Sequence, residues 1–339
     1  MTVDLSHHGD KDTVPGLVDL AVNVRPGGPP AWLARRLAAT DLAAYPDPAE
    51  ARAAVAARHG RPEDEVLLTA GAAEAFVLLA RVLRSRHAVV VHPQFTEPEA
   101  ALRVAGHPVE RLVLAPPFRF DPDAVTADAD LVVIGNPTNP TSVLHPAETI
   151  RALLRPGRTV VVDEAFADAV PGEPESVAAA AHPGLVVIRS LTKTWGIAGL
   201  RAGYVLAGRG TVDRLREAQP QWPVSSPALT AMTACSQPAA LAEADAYARE
   251  LAVTRDDLVT RLHAMAGVRR VAPASASFVL VETVRPDVRQ ALLHAGFAVR
   301  RGETFPGLGP NWIRVAVRDR ATTTAFCTAL ADLLTEVPA

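Results

Sequence analysis

Cysteine is nearly absent from this chain, with Cys235 and Cys327 the two examples in 339 residues. Far apart in sequence, they offer no metal-like spacing, and both sit in apolar helical patterns where a buried free thiol is the default. No apolar run approaches the roughly 18 residues that a membrane-spanning helix needs. The opening stretch, Met1 to Asp12, is polar and has no signal-peptide core, so a cytoplasmic protein is expected. Neither sign of charge is in excess. The formal net charge of −3 gives no global attraction to nucleic acid or to an anionic membrane. No strand is followed by the Gly-x-Gly-x-x-Gly fingerprint of a nicotinamide dehydrogenase. Internal repeats, low-complexity tracts and an appended DNA-binding segment are also missing.

What is present is length and aliphatic residues. A chain of 339 residues with 49% hydrophobic and 21% charged residues is globular and exceeds the usual size of one compact core. We expect an N-terminal arm over residues 1–40, a large domain over 41–225 and a small C-terminal domain over 226–339. The arm carries Arg25-Pro26-Gly27-Gly28-Pro29-Pro30, too rich in Pro and Gly to continue helix or strand, so it should lie as an irregular segment over something else. From Val66 onward, short β-branched runs alternate with helical patterns. Seven strands are predicted near 66–69, 88–91, 109–114, 131–135, 159–162, 185–189 and 199–207. That alternation specifies an α/β fold with a mostly parallel seven-stranded sheet covered by helices. Beyond residue 225 a long helix over about 239–265 and strands near 268–271, 278–282 and 312–317 predict a smaller α+β unit.

Ligands on such sheets gather at the carboxyl ends of the strands, and four motifs fall there. Gly71-Ala72-Ala73 lies between a strand and a helix. Backbone N–H groups and the positive helix end make an anion site there, and an ordinary turn accounts for the glycine equally well. Asn136-Pro137-Thr138-Asn139-Pro140-Thr141 offers two amides at a rigid turn, again a composition that turn chemistry explains. Val160-Val161-Val162 delivers Asp163 to a strand end, as a helix cap or as a buried carboxylate with a cationic or N–H partner. Last, Ser190-Leu191-Thr192-Lys193 sets an amine between hydroxyls, with Arg201 eight residues on. Hydroxyl, backbone N–H and guanidinium together suit a phosphate dianion. An amine at such a site forms imines with carbonyl cofactors once burial or a neighbouring cation lowers its pKa.

Taken in order, these motifs resemble the fold-type-I pyridoxal-phosphate enzymes, the aspartate aminotransferase superfamily. Asn139-Pro140-Thr141, Asp163-Glu164-Ala165-Phe166 and Ser190-Leu191-Thr192-Lys193 with Gly199-Leu200-Arg201 carry the likeness. The spacing agrees, with 24 positions from Asn139 to Asp163 and 30 from Asp163 to Lys193. The resemblance implies that Lys193 bears pyridoxal 5′-phosphate as a Schiff base and later carries the substrate proton. Asp163 would pair with the pyridinium nitrogen, Asn139 would bond the ring O3′, and Phe95 would stack on the ring. Gly71, Ala72, Ala73, Ser190, Thr192 and Arg201 would hold the phosphate, joined across a homodimer interface by Tyr45. Arg314, in Trp312-Ile313-Arg314-Val315, would bind the substrate carboxylate. Departures are Phe166 where many members have tyrosine, Ser142 in place of glycine after Thr141, and Pro98 at a position often aromatic.

Within the superfamily the arm residues His8-Gly9 and Asn23 to Pro30 are similar to those of threonine-phosphate decarboxylases. His8 and Asn23 are therefore candidates for substrate contact, and Arg300, beside Arg301, and Phe305 for the C-terminal side of the pocket. Those two arginines also fit an exposed strand end. The expected substrate is a small phosphorylated amino acid or amine. The expected reaction is decarboxylation of L-threonine O-3-phosphate in cobalamin biosynthesis, and the alternative is a 2-oxoglutarate-dependent aminotransferase such as that for histidinol phosphate.

Overall fold

Unbroken runs such as Val160-Val161-Val162 and Leu185-Val186-Val187-Ile188 form the inner strands, because β-branched side chains fit a pleated surface covered on both faces. The structure, a computed structural model, describes Leu5, His7 and residues 9–335. The strands are β1 (Val18–Leu20), β2 (Val66–Ala70), β3 (Ala88–His92), β4 (Val109–Val113), β5 (Leu131–Gly135) and β6 (Thr159–Asp163). They continue with β7 (Leu185–Ser190), β8 (Ala202–Ala207), β9 (Val268–Val271), β10 (Phe278–Thr283), β11 (Phe297–Arg301) and β12 (Trp312–Ala316). The helices are α1 (Ala31–Ala38), α2 (Ala49–His59), α3 (Gly71–Val82), α4 (Glu97–Val104) and α5 (Ala147–Arg151). After them come α6 (Arg209–Ala218), α7 (Ser226–Cys235), α8 (Pro238–His263), α9 (Val288–His294) and α10 (Arg320–Thr335).

The large sheet has seven strands in the order β2-β8-β7-β6-β5-β3-β4. Only β8 runs against its neighbours, β2 and β7. Gly135 pairs with Asp163 and Asp163 with Ile188, so β5, β6 and β7 finish along one edge. One face of the sheet, with Val162, Val187 and Tyr204, packs on side chains of α1, α2 and α7. The other, with Val161, Val186 and Ile188, packs on α3, α4 and α6. Burying each such aliphatic side chain stabilises the fold by about 1.5–3 kcal/mol. Both cysteines are buried, and among the described residues no helix is long and apolar enough to cross a membrane.

The second sheet has the order β1-β11-β12-β10-β9, with β1 parallel to β11. The N-terminal segment is thus stitched to a strand almost three hundred residues away. Asp19 ends β1 by accepting the N–H groups of Ala21 and Val22 at 2.8 and 3.0 Å, a local turn that competes with further pairing. The chain then runs from the second sheet to the edge of the first.

Candidate active site

Between the carboxyl edge of the large sheet and the second sheet lies a cavity of about 450 Å³. Its walls include Ala72, Ala73, Phe95, Asn139, Asp163, Ser190, Thr192, Lys193, Arg201, Asn23, Arg300, Phe305 and Arg314. Residues from nine segments of chain therefore meet where parallel sheets present ligand sites.

Lys193 sits three residues beyond β7 in a loop held from several sides. Leu191 N–H donates to Ala202 O at 3.1 Å, and Arg25 N–H donates to Lys193 O at 2.9 Å. Trp195 is fully buried and meets Trp32 of α1 edge to face at 5.6 Å. The Lys193 ammonium lies 6.0 Å from the centroid of the Phe166 ring, at the position where a tyrosine was the usual residue. Phe166 is held in turn by an edge contact with Phe278 at 4.9 Å.

Ser190 and Thr192, both in the cavity wall, bring their hydroxyl oxygens within 2.7 Å of one another. Gly71 opens that helix at φ +78°, and a Cβ built on it would fall 2.6 Å from Nη2 of Arg201. Only glycine admits the guanidinium there. Gly71 itself lies outside the cavity wall, while Ala72 and Ala73 line it. Arg201, at φ 56°, is anchored by donating to Ala198 O at 3.0 Å. Two hydroxyls, a guanidinium and the first turn of a helix line the same cavity, a donor set with the chemistry of a phosphate receptor.

Asp163 is buried, and its Oδ1 accepts the Ala165 N–H at 3.0 Å. Burial pushes its carboxyl up to about 6; that hydrogen bond and the Lys193 charge work in the opposite direction, and the neighbouring Glu164 adds to the rise. A carboxylate so placed gains from a cation brought beside it, as the protonated ring nitrogen of pyridoxal would be. The residues present therefore fit that cofactor at both its ring and its phosphate.

Arg314 is the second buried charge. Its Nη1 donates to Asn139 Oδ1 and its Nη2 to Ala21 O, and Phe278 lies beneath it at 5.3 Å. With its amide oriented to offer oxygen, Asn23 accepts from Arg314 Nε and Nη1 at 3.2 and 3.0 Å. Burial, with Arg300 nearby, pushes this guanidinium well below its ordinary value. Among the described residues no carboxylate lies within ion-pair distance of it; its direct partners are neutral oxygens, with Asp12 and Asp19 acting on it from farther away.

Arg300 also lines the cavity, but it is committed. Its Nη1 donates to Asp12 at 2.7 Å and its Nη2 to His7 O at 2.7 Å, and it stacks over Phe305 at 4.8 Å. Arg301 and Arg289 donate to the same fully buried Asp12 at 2.9 and 3.0 Å. The exposed strand end offered as one reading of Arg300 and Arg301 does not occur; they clasp the arm. Tyr45 lies away from the cavity of its own chain, three-quarters exposed and stacked on Trp222 at 4.3 Å. His8 falls outside the described residues. Sequence reading did not single out Asp12, His7, Glu97 or Thr96, of which the last three border the cavity. One signal went unused: the chain has just two lysines, Lys11 and Lys193.

A site with this architecture belongs to a pyridoxal-phosphate-dependent enzyme. The sequence pattern that defines aminotransferases class I and II matches residues 15–330, and the chain belongs to that family. It is 50% identical over 318 residues, spanning 92% of this chain and 86% of the relative, to histidinol-phosphate aminotransferase Rv2231c of Mycobacterium tuberculosis. Threonine-phosphate decarboxylase of Salmonella typhimurium is 29% identical, with 95% of this chain and 92% of the relative covered. The crystal structure of histidinol-phosphate aminotransferase from Clostridium acetobutylicum superposes with a TM-score of 0.86, covering 94% of this chain and 99% of that one, at 24% identity.

These findings correct the expected reaction. The much higher identity lies with a histidinol-phosphate aminotransferase, and decarboxylation of threonine phosphate is withdrawn as the reading. The error has a physical origin. The arm motif that suggested decarboxylation reports how substrate is enclosed, whereas the bond that breaks depends on its angle to the cofactor ring.

Proposed function

We propose that this enzyme transfers the amino group of a phosphorylated amino alcohol, histidinol phosphate or a close analogue, to 2-oxoglutarate. The observation that carries the reading is Arg314, a buried guanidinium without a carboxylate partner among the described residues, facing the cavity that holds Lys193 and Asp163. In histidinol phosphate the phosphate-bearing carbon stands where an amino acid has its carboxylate. One planar donor fork therefore serves both the phosphorylated donor and the dicarboxylate acceptor.

When bound, pyridoxal phosphate supplies a carbonyl that condenses with amines and a ring that accepts the electrons of the broken Cα–H bond. Lys193 would anchor it, and its Nζ is the group placed to accept the substrate Cα proton and hand it on. Asp163 would hold the proton on the ring nitrogen, Asn139 would bond O3′, and Phe95 would cover the ring. Gly71 leaves room for Arg201, which with Ser190, Thr192 and the first turn of α3 at Ala72 and Ala73 receives the phosphate. Asn23 orients Arg314, while Arg300 and Phe305 shape the distal wall. His8 remains a candidate for contact with the substrate's phosphate. Exposed Leu42, Tyr45 and Trp222 support a homodimer in which this face meets a second copy.

Incubation of purified enzyme with histidinol phosphate and 2-oxoglutarate tests the reading. Glutamate should appear in proportion to the amine consumed, and Arg314→Ala should raise KM for both substrates. Carbon dioxide released from O-phosphothreonine without any oxo acid would overturn it.

A further inference from the structure

Side chains alternate along a strand, so the residues flanking the proposed cofactor contacts project to the opposite face of the sheet. Glu164 follows Asp163, and Arg189 precedes Ser190. Both are about 1% exposed. Nη1 of Arg189 donates to Glu164 Oε2 at 2.9 Å and to Glu173 Oε2 at 2.6 Å, and Nη2 donates to Asp168. Arg58 of α2 donates to Asp168 at 2.7 Å and to Glu173 at 3.2 Å. Glu164 is fixed by Ser176 Oγ and Val177 N–H, each donating at 2.7 Å.

We propose that Glu164 and Arg189 are positioning residues that set the electrostatic potential at Asp163 and Lys193 from behind the sheet. The inference rests on the reading of Lys193 as the cofactor anchor. A buried ion pair is seldom retained for stability alone, because apolar residues of similar volume do as well or better. This one replaces apolar packing at the end of a face that is otherwise aliphatic, directly behind two adjacent strand ends. Three carboxylates, Glu164, Asp168 and Glu173, face two guanidiniums, leaving one net negative charge.

The surrounding titratable groups leave that balance intact. His59 of α2 bonds Tyr204 of β8 at 2.9 Å and is pushed down to about 2 by burial and the arginines, so it is neutral. Burial raises the Tyr204 phenol and the Cys235 thiol of α7, which therefore stay protonated. Arg61, just beyond α2, is paired with Glu65, and Asp245 of α8 with Arg249. Burial pushes the Glu164 carboxyl up, but Arg189, the Ser176 hydroxyl and the Val177 N–H oppose that push, and Glu164 in turn acts to raise the Asp163 carboxyl.

The test is the pH midpoint of the absorbance change of the bound cofactor, which reports protonation at the Lys193 nitrogen. Glu164→Gln keeps size and hydrogen-bonding capacity but removes a negative charge, so the midpoint should fall by roughly half a pH unit or more. Arg189→Gln should raise it by a similar amount, Arg189→Lys should leave it near wild type, and the double Gln variant should return most of the way. Opposite shifts from opposite charges cannot arise from simple loosening of the fold. A midpoint unmoved by Glu164→Gln, or moved upward by it, overturns the inference even when the Arg189 variants do not fold. Wild-type protein that shows no cofactor band overturns instead the reading of Lys193.

Discussion

The backbone N–H of Arg25 donates to the carbonyl of Lys193 at 2.9 Å, so the N-terminal segment directly holds the loop that carries the cavity's lysine. Gly196, at φ +65°, completes the contact, since a Cβ there would lie 2.5 Å from Gly28 O. Gly196→Ala must adopt a left-handed conformation and push the Gly27-Gly28 turn away. We expect a loss of about 1–3 kcal/mol in stability and a fall in kcat, measured by chemical denaturation and by glutamate formation.

Asp12 gathers three arginines at the mouth of the same cavity. Burial by itself would raise its carboxyl, but Arg300, Arg289 and Arg301 hold it below the ordinary range. Because the folded value is depressed, its contribution to stability is present above the unfolded pKa and is lost as pH falls through the folded one. Asp12→Asn leaves three guanidiniums without their carboxylate and should cost about 3–5 kcal/mol at neutral pH. Arg300 would also be released into the cavity, so KM should change more than the melting temperature alone accounts for.

Ser142 stands at φ 64°, where glycine was the expected residue. Its hydroxyl accepts the N–H groups of Ser275 and Ala276 at 3.0 and 2.8 Å, tying the Asn139 loop to the segment that leads into β10. Ser142→Ala keeps the backbone strain and leaves the Ala276 N–H without a partner, while the Ser275 N–H keeps its 2.9 Å bond to the Ser142 carbonyl. Destabilisation of about 1–3 kcal/mol is expected, read from urea midpoints against wild type.

Asp163 gives the clearest pH signature in cofactor-free protein. Its folded carboxyl at about 6 lies above the ordinary 3.8, so between those values the folded chain binds more protons than the unfolded one. Stability therefore falls as pH rises through that window, and the penalty is complete above it. Asp163→Asn should be more stable than wild type at pH 7 by up to about 3 kcal/mol, with no difference below about pH 4. His145, pushed down to about 4 by burial, titrates with the opposite sign, but it is common to both proteins and cancels in the comparison. Cofactor binding should reverse the order, because the variant loses the charge that faces the ring.

The inner strands of the large sheet were legible because each is continuously apolar and β-branched, a pattern that needs no partner to be read. β1 and β11 were not. The first is three residues long and exists only by pairing, and the second ends in Arg300-Arg301, charges that look solvated until Asp12 is placed between them. Helix α7 was read only as an apolar helical pattern around Cys235, without bounds, although Ser225 caps it by accepting the Ala228 N–H at 3.4 Å and Pro227 stands in its first turn. Its Ala-rich pattern has little amphipathic contrast because it is buried within the large-sheet core. Asp163, Asn139, Ser190 and Lys193 were readable in sequence, since each follows a strand at a spacing that the family keeps.

Sequence alone thus determined the sheet, the cofactor and the residues at the strand ends, because these depend on local pattern and on chemistry carried by single side chains. The tertiary structure decided what surrounds them. Pairing of β1 with β11 brings the arm onto the lysine loop, and Asp12 turns two apparently free arginines into a clasp. Strand alternation places a buried ionic layer behind Asp163 and Ser190. These arrangements join residues hundreds of positions apart, and their energies come from burial and charge pairing that exist only after the chain has closed.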